Sequence, residues 1–215
     1  MKPGDTVVVA TKNAGKVKEF AHAFEKLGMR VVSMFDYPGL PDVVEDGVTF
    51  AENARKKAKE VAEALGLPVL ADDSGLEVAR LGGEPGVYSA RYSGEGATDA
   101  RNNEKLLREL AALGEAGAGA GLTSLADGTK LLSEARFVCA LALYDPAEHA
   151  FVESEGYAAG FITEQPRGEG GFGYDPLFWL SGLGKSMAEL STEEKQAISH
   201  RGAALAALLE KLARR

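Results

Sequence analysis

Two adjacent aspartates, Asp72 and Asp73, follow directly on the apolar run Val69-Leu70-Ala71 and precede Ser74-Gly75. Acids beside a core are costly unless they hold a cation or accept hydrogen bonds, and Mg²⁺ favours carboxylates combined with water and phosphate oxygens. The pair therefore reads as a metal site at a strand end, with an Asx-turn closing the strand as the alternative. Three further polar clusters stand where strands end or helices begin, the usual place for active sites in α/β proteins. Thr11-Lys12-Asn13-Ala14-Gly15-Lys16 lies between a strand and a helix, where free N–H groups and the helix dipole suit an anion and Lys16 adds charge. A capped turn with a solvated lysine explains that segment equally well, and the Walker A spacing is absent from the chain. Glu45-Asp46 precedes a helix carrying Asn53 and Lys57; alone, it reads as a charged loop beside helix pairs such as Glu52/Lys56 and Lys56/Glu60. The last cluster combines Phe172-Gly173-Tyr174-Asp175 with Lys195 and Ser199-His200-Arg201. Glycines beside an aromatic let its ring approach a flat ligand, and His200 and Arg201 supply donors. Taken singly, each piece reads as a tight turn or a capped helix.

The elements that must position these groups interleave strands and helices. Thr6 to Ala10 is an expected buried strand, and Val17, Phe20, Ala21, Phe24 and Leu27 repeat at helical spacing up to Gly28. Val31 to Met34 is a second strand. Thr49-Phe50-Ala51-Glu52 fits a reciprocal capping box, opening a helix whose stripe is Phe50, Ala54, Ala58, Val61 and Leu65 and which Gly66 ends. Pro68 to Ala71 is a strand running into the acid pair. A helix over 98–113 turns Leu106, Leu107, Leu110 and Leu113 inward. The Gly/Ala-rich stretch 114–133 is expected to be a flexible surface loop. Phe137 to Tyr144 is a central strand and Phe151 to Thr163 one or two more. Ser191-Thr192-Glu193-Glu194 is a second capping box, and Leu205, Leu208, Leu209 and Leu212 face inward from a last helix. The class is α/β, without repeats or a composition break marking a domain boundary.

Composition narrows the partners. The chain has 215 residues and a formal net charge of −8, which disfavours general nucleic-acid binding because that affinity comes mostly from phosphate neutralisation. A small phosphorylated substrate stays open if basic residues gather locally or a divalent metal supplies charge. No targeting segment and no apolar run near the roughly 20 residues of a membrane span occur, so a cytoplasmic location without membrane association is expected. Cys139 is the single cysteine, alternates with apolar neighbours and reads as core. His22 and His149 lack partners at metal-ligand spacing, so zinc is not expected.

Taken together and in order, TKNAGK, EDGVTFAENARKKA, ADDSGLEV, PGVYSARYSG, GGFGYDPLF and EEKQAISHRG resemble the successive motifs of the inosine/xanthosine triphosphate pyrophosphatase family, which hydrolyses faulty purine nucleoside triphosphates. The resemblance runs from Val7 to the last helix. Two departures stand out: the 114–133 stretch is longer than the family pattern, and Asp46 stands where that pattern has threonine. The resemblance implies one domain over 1–215 with two lobes, an elongated mixed sheet flanked by helices and a central nucleotide-binding cleft. It also implies a homodimer and hydrolysis of ITP, dITP and XTP to monophosphate and pyrophosphate. By position it assigns Thr11, Lys12, Asn13, Ala14, Gly15 and Lys16 to the triphosphate. Glu45 and Asp73 take Mg²⁺, Asp73 being also the base that activates water. Asp72 supports them, Lys57 contacts phosphate and Ser74 contacts substrate. Phe172 stacks on the purine, Gly173, Tyr174 and Asp175 line that pocket, and Lys195, His200 and Arg201 read the base.

Elementary chemistry agrees with the resemblance. Hydrolysis at the α-phosphorus develops charge on the leaving pyrophosphate, which Mg²⁺ with Lys16 or Lys57 can stabilise. A donor from Arg201 aimed at a 6-keto oxygen faces another donor in adenine, a mismatch worth ~1–3 kcal/mol. Guanine keeps the 6-keto group, so rejecting GTP needs discrimination at position 2. Two rivals remain open at this point: a Maf-type pyrophosphatase acting on modified pyrimidines, and a nucleotide-binding protein without catalysis. A nucleic-acid-binding module is disfavoured by the lack of a basic stripe.

Overall fold

The computed structural model describes residues 4–11, 13–40, 42–114 and 124–214. Four consecutive β-branched residues make β1 (Thr6–Val9), which is flanked by parallel partners. On one side is β2 (Arg30–Ser33), in register Thr6 to Arg30 through Val9 to Ser33; on the other is β3 (Val69–Val78), with Val8 opposite Val69. Then come β4 (Leu131–Asp145), β5 (Ala150–Thr163), β6 (Phe178–Leu180) and β7 (Lys185–Ser186). The seven strands form one sheet in the order β2-β1-β3-β4-β5-β6-β7, and β6 runs antiparallel to both neighbours. Parallel pairs at one end and antiparallel pairs at the other make it a mixed sheet. The helices are α1 (Ala14–Glu25), α2 (Phe50–Leu65), α3 (Asp99–Ala112), α4 (Thr192–Ile198) and α5 (His200–Ala213).

The chain divides into two compact units. The first comprises Met1–Ser74, Cys139–Gly156 and His200–Arg215, and the second Gly75–Val138 and Tyr157–Ser199. The core of the first gathers Val7 and Val9 of β1, Phe20 and Phe24 of α1, Leu70, Cys139, Leu141 and Leu143 of the sheet, and Leu205 and Leu208 of α5. Burial pushes the Cys139 thiol up to about 12, so this cysteine is an inert core residue. The core of the second gathers Leu76, Leu106, Leu110, Phe137, Ile162, Leu177, Phe178 and Met187. Among the described residues no helix is long and apolar enough to cross a membrane.

Several boundaries differ from the sequence expectation. The acid pair does not follow β3 but lies inside it, because the strand continues ten residues to Val78. Thr49 caps α2 by accepting from Glu52 N–H at 3.1 Å, but the Glu52 carboxylate accepts from Val48 N–H at 2.8 Å, one residue earlier than a reciprocal box requires. Ser191 and Glu194 do form the full box. Leu113 is 41% exposed rather than inward, since α3 ends at Ala112 and Leu113 is its C-cap. Residues 115–123 of the 114–133 stretch lie outside the described residues. In the remainder, Leu125 N–H donates to Thr129 O at 2.8 Å and β4 begins at Leu131.

Candidate active site

In the first unit, α2 carries the groups that meet the two acids named for a metal. Thr49 and Gly66, the latter left-handed at φ 67°, delimit a helix whose buried stripe is Phe50, Asn53, Ala54, Ala58, Val61 and Ala62. Asn53 is the polar member, 1% exposed, and both ends of its amide are engaged. Its Nδ2 donates to Asp73 Oδ2 at 2.9 Å, and its Oδ1 accepts Gly47 N–H at 2.8 Å. Gly47 must lack a side chain, because a Cβ there would stand 2.7 Å from Asn53 Oδ1. One turn on, Lys57 forms a close ion pair with Glu45. Two successive turns of one helix thus hold the strand acid and the loop acid.

The alternation of β3 sends Asp72 and Asp73 to opposite sides, with different consequences. Asp72 is 3% exposed and pairs with Lys16 Nζ at 2.6 Å. Burial works against its charge, but the Lys16 and Arg201 charges outweigh burial and hold the carboxyl below its usual range. Among the described residues no lysine touches Asp73 directly. Burial pushes it up to about 6; the Asn53 hydrogen bond opposes this, and the nearby Glu45 carboxylate adds to it. Its Oδ1 accepts Ser74 N–H at 2.9 Å. Two carboxylates that repel, one of them poorly solvated, are what a divalent cation would relieve. Among the described residues no group of three or more His, Cys, Asp and Glu forms a metal cage. Glu45 and Asp73 offer hard oxygen donors, the kind a divalent cation such as Mg²⁺ accepts alongside waters and phosphate oxygens.

The other first-unit residues cluster at helix starts. Thr11 Oγ1 accepts Asn13 N–H at 3.2 Å, and Asn13 Oδ1 accepts Lys16 N–H at 3.2 Å, the bond of a helix cap. Lys12 lies outside the described residues, as do the side-chain surroundings of Ala14 and Gly15, whose backbone opens α1. His200 and Arg201 open α5. Arg201 is mostly buried, with its Nη1 3.4 Å from Glu19 and no hydrogen bond at Nε. Asp46, the departure from the family pattern, is exposed and pairs with Lys56 at 2.6 Å; that partner holds it below the usual carboxylate range. It joins the loop to α2 without touching the acid cluster's hydrogen bonds.

In the second unit the Phe172–Asp175 turn presents a ring. Phe172 is 62% exposed, and Lys195 Nζ stands 4.8 Å from its centroid. Asp175 is 4% exposed, accepts Phe172 N–H at 3.0 Å and forms a close ion pair with Lys195. Gly171, at φ 76°, is obligatory, since a Cβ would meet Asp175 Oδ2 at 2.2 Å. Tyr174 is a core residue whose hydroxyl donates to Ser89 O at 2.8 Å. A separate cavity of about 660 Å³, lined in part by Glu77, Arg136, Gly160 and Phe161, contains no lysine and none of the residues named from sequence. Its chemistry does not suit a polyphosphate.

In the sequence Asn53 stands out only as a neighbour of Lys57; its further signal is a polar residue on an apolar stripe. Asp99 and Asn103, which hold Gly173, carry no local signal because their bonds span 74 and 70 positions.

Known proteins resemble the chain over most of its length. A protein of Geobacillus kaustophilus described as dITP/XTP pyrophosphatase is 53% identical over 205 residues, covering 95% of this chain and 92% of that protein. One of Streptococcus thermophilus, with the same description, is 47% identical over 207 residues, and the chain spans 59% of its length. Among solved structures, a HAM1 protein from Coxiella burnetii matches with a TM-score of 0.85 and 38% identity over 98% of this chain and 100% of that one. The Staphylococcus aureus Ham1 protein matches with a TM-score of 0.83 and 39% identity, covering 98% and 99%. The sequence model of the Ham1 family matches residues 7–211, nearly the whole length, and the chain belongs to that family.

Proposed function

We propose that this protein hydrolyses ITP, dITP and XTP to the corresponding monophosphate and pyrophosphate with Mg²⁺. The observation that carries the reading is the contrast between neighbouring acids on β3. Asp72 is neutralised by Lys16, whereas Asp73 has no direct cation among the described residues, lies near Glu45 and is held near 6, within range of a working base. Glu45 and Asp73 would hold Mg²⁺, which when bound screens phosphate charge and lowers the pKa of water. Asp73 takes the proton of the attacking water, Asn53 keeps its carboxylate oriented, and the bond from the α-phosphorus to the bridging oxygen breaks to release pyrophosphate. Lys16 and Lys57, paired with Asp72 and Glu45 in the resting protein, exchange part of that contact for phosphate oxygens. Thr11, Asn13 and the start of α1 complete the anion site.

In the second unit Phe172 offers its face to the purine, and Lys195, fixed by Asp175, edges it. The family resemblance assigns His200 and Arg201 as donors to the base, which favours a 6-keto group over the amino group of adenine. The substrate test is pyrophosphate release from ITP, dITP, XTP, GTP, ATP, UTP and dTTP. The reading requires the first three to dominate. Equal turnover of ATP would sink it, and preference for UTP or dTTP would favour a Maf-type activity. ITP binding by calorimetry without turnover would mark a binding protein instead. We also propose a cytoplasmic homodimer, as the family resemblance implies; light scattering showing a monomer at micromolar concentration would contradict the dimer.

A further inference from the structure

The exposed Phe172 ring rides on a backbone whose polar groups are all engaged. Phe172 N–H donates to Asp175 Oδ2 at 3.0 Å, and its carbonyl accepts from Asp175 N–H at 3.2 Å. Gly173 follows at φ 60°, in the left-handed region that favours glycine. Its N–H donates to Asp99 Oδ2 at 2.7 Å, and its carbonyl accepts from Asn103 Nδ2 at 2.9 Å. Asp99 and Asn103 are four residues apart and so share one face of α3. That helix is itself fixed by Leu106 and Leu110 in the core and by Asn102, whose Oδ1 accepts Ser93 N–H at 2.8 Å.

We propose that Asp99 and Asn103 are positioning residues that hold the Phe172 ring ready for a flat purine base, and so set base affinity without touching substrate. The inference rests on the reading of Phe172 as the stacking platform. Tyr174, buried and bonded to Ser89, anchors the far side of the turn independently, so loss of Asp99 loosens the ring-bearing residues and leaves the core in place. A ring already fixed in its bound orientation loses little freedom on binding; a loosened one must be ordered by the ligand, at a cost in affinity and not in chemistry.

The test is steady-state hydrolysis of ITP with Mg²⁺ by Asp99→Ala, Asn103→Ala and Asp99→Asn, and by Asp99→Ala combined with Phe172→Ala. Asp99→Ala and Asn103→Ala should each raise KM about three- to tenfold with kcat within about twofold. Asp99→Asn should restore KM, because its amide oxygen still accepts Gly173 N–H. In the Phe172→Ala background, Asp99→Ala should add less than about twofold, since the group it positions is gone. An unchanged KM in Asp99→Ala, or the same increase with and without Phe172, overturns the inference while Phe172→Ala still raises KM. If Phe172→Ala itself leaves KM unchanged, the stacking reading fails and this inference with it. Asp99 is exposed, so its variant should keep the melting temperature within a few degrees and decides the matter even if Asn103→Ala unfolds.

Discussion

Asp73→Asn should remove turnover and, without metal, make the protein more stable above pH 6. The rise of the Asp73 carboxyl from 3.8 to about 6 means the folded protein disfavours its charge by about 3 kcal/mol. The sign follows from proton linkage: between those values the folded state binds more protons than the unfolded state, so stability falls as pH rises. The penalty is absent below about 4 and complete above 6. Asparagine removes it, but offers one acceptor oxygen where the carboxylate serves two donors, Asn53 Nδ2 and Ser74 N–H. Loss of one such bond costs about 1–2 kcal/mol. The net gain is therefore about 1–2 kcal/mol, or about 2–8 °C for a chain of this size. Thermal melts in EDTA at pH 8 and pH 4 measure it: the variant should melt higher at pH 8 and lose that advantage at pH 4. Adding Mg²⁺ should reverse the order at pH 8 by raising the unmodified protein alone. A variant that melts lower at pH 8 in EDTA refutes the claim that this carboxylate is held charged at a cost.

Three further outcomes follow from the same cluster. Asn53→Ala leaves the Gly47 N–H without its acceptor and Asp73 Oδ2 without its donor, and should raise half-saturating Mg²⁺ for turnover about tenfold, read from metal titrations of a variant verified as folded by circular dichroism. Gly47→Ala puts a Cβ 2.7 Å from Asn53 Oδ1 and should produce the same metal defect, with a loss of about 1–3 kcal/mol in urea unfolding. Protons compete for Asp73, so calorimetry should find Mg²⁺ affinity flat above pH 7 and weakening up to about tenfold per pH unit below 6; affinity independent of pH between 5 and 7 would remove Asp73 from the metal site.

What could be read from the sequence depended on the range of the interactions. Helix α2 was legible because its signals are local: a threonine that caps, a stripe at helical spacing and a left-handed Gly66. The acid pair was misplaced to a strand end because Asp-Asp-Ser-Gly has turn composition. What keeps the chain extended there is non-local: Lys16 pairs with Asp72 across 56 positions, and Leu76 N–H, further along the strand, donates to Ser89 Oγ. Glu52 reaches Val48 rather than Thr49, a choice of one residue that the pattern S/T-x-x-E leaves open. Family motifs name the candidate groups, but the pairings of Asp73 with Asn53 and of Gly173 with Asp99 depend on contacts that spacing does not encode.

The central claim is that water prepared at Asp73 attacks the α-phosphorus. Hydrolysis of ITP in ¹⁸O-enriched water, with mass analysis of the products, tests it directly. The account predicts the label in inosine monophosphate and unlabelled pyrophosphate. Label in pyrophosphate, or release of orthophosphate, would contradict it.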